Sequence, residues 1–187
     1  MNFYHDKAIV ESVTIGRDTR VWAFSHIMKG AVIGEECNIG EHCFIESEVI
    51  LGDRVTVKNG ISIWNGIEIG NDVFLGPHMV FTNDLLPRSK NHNFKLKRTY
   101  VREGASIGAN VTLLCGISIG KYSMIGAGSV VTKDVADFSL VYGNPARHSG
   151  FICKCGEKLN FNENKTECKC GISFSLKDEN VYIKNEN

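Results

Sequence analysis

Apolar residues return to this chain at every sixth position. From Ile15 the beat runs through Val21, Ile27, Ile33, Ile39, Ile45, Leu51, Val57, Ile63, Ile69 and Leu75 to Phe81, and after an interruption it resumes at Ile107, Leu113, Ile119, Ile125 and Val131. Two residues before the beat stands a second apolar or small residue, as at Val13, Ala31, Cys37, Val55, Ile61, Val73, Ala105 and Val111. Glycine often follows it, as at Gly16, Gly34, Gly52, Gly70, Gly108 and Gly126. A helix would carry successive beat residues about 600° around its axis, so their side chains would share no face. In a short strand, residues i−2 and i point to the same side. Each hexad therefore predicts a short strand with two inward residues, then a turn whose glycine tolerates conformations that other residues resist. Three hexads close a triangular coil of about eighteen residues, and stacked coils merge their inward residues into a column that no single coil buries alone. The pattern predicts an all-β parallel solenoid over residues 9–135.

The interruption carries the candidate chemistry. From Phe81 to the next beat at Ile107 there are 26 residues where six would keep time. The surplus is placed at 83–102, NDLLPRSKNHNFKLKRTYVR, with Arg88, Lys90, Lys95, Lys97, Arg98 and Arg102 against the single acid Asp84. A loop this long inside a compact repeat is functional or disordered. A basic loop on a neutral body suits a polyanionic small molecule such as a nucleotide diphosphate or coenzyme A, unless it is a solvated excursion. Residues eighteen apart share a column, so Thr82 is expected over Trp64 and Asn83 over Asn65, with Glu46 and Met28 below. His26, Ser62 and Trp64 point outward on this wall, and an outward Trp indicates contact with a ligand or a partner subunit. Asn83 and Asp84 lie where wall and loop meet, suited to orienting a nucleophile and receiving its proton, or to starting an Asx-type turn. His26, His42 and His78 are the other candidate bases.

The 187 residues suit one domain with a small appendage, divided here at 1–150 and 151–187. Lys and Arg total 21 against 21 Asp and Glu, and a formal charge of zero argues against nucleic-acid binding. The opening MNFYHDK lacks an apolar signal core, and no stretch reaches membrane-spanning length. Seven cysteines without a secretion signal suggest a reducing cytoplasm. Cys37 and Cys43 fall at inward positions and read as small core residues. Cys153, Cys155, Cys168 and Cys170 form two C-x-C-G knuckles twelve residues apart. They predict a small zinc-ribbon-like hairpin holding one tetrahedral structural zinc, with disulfides or free thiols as the alternatives. Such a module could cap the open end of the solenoid.

The hexads resemble the left-handed parallel β-helix of the hexapeptide acyltransferases, and the left hand comes from that resemblance. The segments VKNGISIWNGIEI (57–69), DVFLGPHMVFTNDLLPRSK (72–90), IGAGSVVTKDV (125–135) and GNPAR (143–147) resemble bacterial nucleotide-sugar 3-N-acetyltransferases. Trp64 with FTNDxxPRSK is similar to enzymes acting on dTDP-3-amino-3,6-dideoxyhexoses for surface glycans such as lipopolysaccharide O-antigen. A branch acting on UDP-2-acetamido-3-amino-2,3-dideoxyglucuronate departs at Trp64 and after Asn83. The resemblance implies acetyl-CoA as donor and a homotrimer with active sites between subunits. Asn83 and Asp84 would be catalytic, and His26, Trp64, Asn65 and Arg88 would contact the sugar nucleotide. Ala109, Ala127, Lys133 and Arg147 would bind the coenzyme. A non-catalytic β-helix scaffold is the other reading. A γ-type carbonic anhydrase needs converging histidines that His42 and His78 do not supply.

Overall fold

The computed structural model describes residues 1–91, 93 and 95–185. These form strands and turns and no α-helix. The repeat winds into a left-handed parallel β-helix. Register advances by eighteen: Arg20 pairs with Asn38, Asn38 with Thr56, and Thr56 with Phe74. One face is a ten-stranded sheet running from Phe3–Tyr4 to Lys158–Leu159. A second face has six strands, from Thr14–Ile15 to Ser118–Ile119. The third face is split into a four-stranded sheet ending at Ser62–Ile63 and a three-stranded sheet starting at Val80–Phe81.

The beat residues fill one continuous core, with Val21, Ile27, Ile39, Ile45, Ile63, Leu75, Ile107 and Leu113 fully buried. Each such aliphatic side chain contributes about 1.5–3 kcal/mol of transfer free energy. The column starts later than the pattern predicts. Val13 is 98% exposed, and Ser12 is buried in its stead, donating to the Ala31 carbonyl at 2.6 Å. The first coil has no coil beneath it, so its apolar residues gain little cover. Cys37 and Cys43 are buried as expected, their thiols bonded to the Gly52 and Lys58 carbonyls at 3.2 Å.

The glycines after the beat serve a different purpose from the one expected. The left-handed turn residues stand two positions further on: Asp18, Glu36, Arg54 and Asp72, at φ 55–58°. Glycine is needed instead because the next coil passes within contact distance. A Cβ at Gly34 would lie 2.3 Å from the Gly52 carbonyl oxygen, and one at Gly108 would lie 2.6 Å from the Ala127 nitrogen.

The break is also shorter than the spacing suggested. Thr99–Val101 is a solenoid strand, pairing with Ile67–Ile69 across 32 residues rather than eighteen. Fourteen residues are therefore inserted into what is a three-residue turn in the coil below (64–66), and the connection from Phe81 to Thr99 spans 82–98 instead of 83–102. It leaves after Phe81 and returns at Thr99, whose amide donates to the Gly66 carbonyl at 2.9 Å and whose hydroxyl accepts from the Gly116 amide at 3.0 Å. Leu96 and Lys97 lie against Gly66 and Gly116, the corner turns below and above the loop.

No linker separates the appendage. The strand Ala146–Ile152 runs across position 150, pairing antiparallel with Ser139–Gly143 on one side and with Lys158–Leu159 on the other. Phe138, Leu159, Phe174 and Val181 make a second small core. Phe138 stacks on Tyr122 of the last coils at 5.4 Å and meets Phe174 edge-on at 5.6 Å. The module thus joins the C-terminal end of the solenoid through the main sheet and an aromatic joint.

Candidate active site

The third face is broken at Trp64. In the coils beneath, the residue after the beat donates its backbone amide to the beat carbonyl of the next coil, as Met28 does to Ile45 and Glu46 to Ile63. At the break the indole nitrogen of Trp64 donates to the Phe81 carbonyl at 3.0 Å. The ring fills the step between the two sheets and packs on the solenoid core. Thr82 continues the upper sheet, its amide donating to the Leu113 carbonyl at 3.1 Å and its hydroxyl accepting from Cys115 at 2.9 Å.

An aromatic row leads away from this corner. Trp64 meets Phe44 at 5.7 Å between centroids, and Phe44 meets His26 at 5.6 Å in an edge contact. Phe44 escaped the sequence reading, although it lies eighteen residues from both His26 and Ser62, so column arithmetic alone places it here. The Nε2 of His26 is buried and makes no hydrogen bond, while Glu11 Oε2 stands 3.4 Å away outside bonding geometry. His42 stacks on Phe24 at 4.9 Å, one corner away.

Asn83 and Asp84 are half-buried, two and three residues beyond the carbonyl that Trp64 holds. Asp84 Oδ1 accepts from the Leu86 amide at 2.9 Å, the Asx turn considered above, and its second oxygen remains for other partners. Asn65 is tied to the preceding coil. Its carboxamide oxygen accepts from the Glu48 amide at 2.9 Å, which turns the side chain toward the preceding coil, and its backbone amide donates to Glu46 Oε2 at 2.6 Å. Arg88 is exposed and donates to the Pro87 carbonyl. Arg98 pairs with Glu68 at 3.0 Å, and Arg102 lies over the Tyr100 ring at 4.7 Å, which places it on the solenoid wall.

The four coenzyme candidates fall in two places. Ala109 and Ala127 stack in successive coils, where Gly76 and Gly108 leave room for their backbones. Lys133 and Arg147 line one cleft of about 760 Å³ at the C-terminal end of the solenoid, and neither alanine lines it. Val131, Val135, Val141 and Phe151 supply apolar wall, and Leu176 and Glu179 reach it from the appendage. Sequence spacing gave no sign of Leu176 or Glu179, because their approach depends on how the appendage folds back.

The four C-terminal sulfurs lie within 4.8 Å of one another, with Cys153–Cys170 and Cys155–Cys168 each at 3.5 Å. The two knuckles are built alike. Cys153 donates its amide to the Glu157 carbonyl and accepts from Gly156, and Cys168 repeats this with Ile172 and Gly171. They belong to two different sheets rather than to the single hairpin expected, so the cluster ties one sheet to the other. Burial pushes the Cys153 thiol up, whereas the Ile172 amide directed at the Cys170 sulfur brings that thiol down to about 7. Tetrahedral Zn–S bonds of about 2.3 Å set sulfurs about 3.8 Å apart, a spacing this arrangement fits.

Comparison with known proteins bears on the chain as a whole. The bacterial transferase hexapeptide (six repeats) family matches residues 12–47 and 98–133. The chain is 54% identical over 176 residues to the dTDP-3-amino-3,6-dideoxy-alpha-D-galactopyranose 3-N-acetyltransferase of Aneurinibacillus thermoaerophilus, covering 94% of this chain and 92% of that one. Among solved structures, AntD, an N-acyltransferase from Bacillus cereus, was crystallised as a mutant with dTDP-4-amino-4,6-dideoxyglucose and coenzyme A. It shares the fold at a TM-score of 0.67 and 18% identity, over 75% of this chain and 84% of that one. PerB from Caulobacter crescentus, solved with CoA and GDP-perosamine, matches at a TM-score of 0.58 and 23% identity, over 80% of this chain and 57% of that one.

Proposed function

The chain belongs to the hexapeptide-repeat bacterial transferases, and on that premise we propose that it moves acetyl from acetyl-CoA to the 3-amino group of a dTDP-3-amino-3,6-dideoxyhexose. The observation that carries this reading is the 54% identity to an enzyme named for that reaction, in an alignment that spans nearly the full length of both chains. The product would serve assembly of a surface glycan, and the enzyme would work in the cytoplasm. Among the described residues no helix is long and apolar enough to cross a membrane.

The chemistry asks little of the protein beyond placement. A neutral amine must be held about 3–3.5 Å from the thioester carbonyl. Its nitrogen attacks the carbonyl carbon, the oxyanion collapses, the C–S bond breaks, and coenzyme A leaves while the amine gives up a proton. Asn83 orients the amine through its side-chain carbonyl. Asp84 positions the sugar or takes the proton with the oxygen that its turn leaves free. Trp64 and Phe44 form an apolar floor for the 6-deoxy sugar, and His26 lies at the far end of that row. Arg88 and the loop cations answer the diphosphate. Ala109 and Ala127 present turn backbone to the pantetheine arm, with Lys133 and Arg147 toward the coenzyme phosphates. The separation of the alanines from the Lys133 cleft is consistent with sites completed across a homotrimer. The four thiolates hold a structural zinc with no open position for catalysis.

A thermal-shift titration with coenzyme A, followed by mass spectrometry of a reaction with acetyl-CoA and the dTDP-3-aminosugar, tests the proposal. Saturable stabilisation and an acetylated sugar nucleotide are expected. A protein that neither binds coenzyme A nor acetylates the sugar would be a scaffold.

A further inference from the structure

The cleft holding Lys133 and Arg147 has walls from separate parts of the chain. Residues 131–136 close the last coil, Arg147 and Phe151 stand on the strand Ala146–Ile152, and Leu176 and Glu179 come from the C-terminal three-stranded sheet. The strand with Arg147 leads directly into Cys153, and the strand Ser173–Lys177, which carries Leu176, begins just after the knuckle of Cys168 and Cys170. The sulfur cluster therefore joins the two elements that bear opposite walls. Among the described residues these sheets share no strand pairing; besides the sulfurs they meet at the small core around Phe138, Leu159 and Phe174 and at the exposed Lys169–Glu157 ion pair, 3.9 Å apart. A core this small orders a module weakly without a metal or another cross-link.

We propose that the cysteine module is a coenzyme-binding lobe, and that metal held by its four thiolates clamps Leu176 and Glu179 against the Lys133–Arg147 cleft. This rests on the acetyltransferase reading and adds a metal-dependent affinity for the donor. The lining matches the nucleotide end of coenzyme A. Two cations answer phosphate oxygens, Phe151 and Leu176 cover an aromatic base, and the Glu179 carboxylate accepts from a ribose hydroxyl or the adenine amino group. With the clamp released, the far wall is no longer fixed, and the ligand must order it on binding.

Calorimetric titration with coenzyme A decides the matter in three samples: metal-loaded protein, protein stripped by a chelator that is then removed, and metal-loaded Leu176→Asp. Stripping should weaken binding at least tenfold, and added zinc should restore it. Leu176→Asp should retain one metal per chain while binding at least tenfold more weakly, because its carboxylate would face the phosphates. Wild-type affinity in Leu176→Asp overturns the proposal whatever the stripped protein does, as does a soluble stripped protein of unchanged affinity. If stripping precipitates the chain, Leu176→Asp decides alone. Loaded wild type that binds no coenzyme A removes the acetyltransferase reading and the clamp together.

Discussion

The Trp64 indole takes up the Phe81 carbonyl at 3.0 Å, where the regular coil would offer it a backbone amide. One side chain thus bridges the broken ladder at the point where the 14-residue insertion leaves the wall. Trp64→Phe leaves that carbonyl unpaired in a half-buried place and should cost about 1–3 kcal/mol in denaturant unfolding. Catalysis should fall by more than stability explains, because Asn83 and Asp84 hang from the same corner.

Asn83→Ala should lower kcat on the order of 10²-fold or more with an unchanged unfolding curve. Wild-type kcat would remove Asn83 from the mechanism.

Asp84 has a turn role and a proposed charge role, and two variants separate them. Asp84→Asn keeps an acceptor for the Leu86 amide, whereas Asp84→Ala does not. If the carboxylate receives the proton or holds the sugar, both variants lose kcat/KM alike. Recovery in Asp84→Asn would reduce Asp84 to a turn former.

Gly34→Ala should destabilise the solenoid by about 1–3 kcal/mol or more, since the added Cβ meets the Gly52 carbonyl rather than a side chain that can move. Equilibrium unfolding measures this. Gly128→Ala has no neighbouring atom within 4 Å and should cost only the strain of its positive φ of 70°.

Acid should loosen the joint between solenoid and appendage. Glu103 is held below its ordinary 4.5, first by the Tyr122 hydroxyl at 2.8 Å and then by Lys121. Away from the joint, in the middle of the solenoid, Asp72 is held below 3.8 by Arg54, bonded at 2.7 and 2.8 Å. Because both folded values lie below the unfolded ones, the stabilisation is complete above about pH 4.5 and is lost as pH falls through the lowered values. Both pairs are solvated, so each contributes little. Tyr122→Phe should flatten part of the acid limb of a melting-temperature profile, and an unchanged limb would remove Glu103 from this role.

Much of the fold was legible because the six-residue beat is enforced by burial, and a shift of one residue would turn each core side chain to solvent. The start of the column at Val13 was misread because a first coil lacks the neighbour that would cover it. The loop end was misread because Val101, although it keeps the beat with Ile107, sits in a basic stretch. The glycines were detected correctly but explained by turn conformation, when close stacking is their reason. At the site, eighteen-residue arithmetic located Trp64 and His26 on one wall and would have supplied Phe44. It gave no sign of Leu176 and Glu179, whose approach is set by the fold of the appendage rather than by the repeat.

Thiol release from acetyl-CoA, followed with a panel of dTDP- and UDP-linked 3-aminosugars, tests the central claim most directly. The highest kcat/KM should fall on a dTDP-3-amino-3,6-dideoxyhexose, with turnover strongly reduced in Asn83→Ala. Preference for UDP-2-acetamido-3-amino-2,3-dideoxyglucuronate, or no release with any aminosugar, would contradict it.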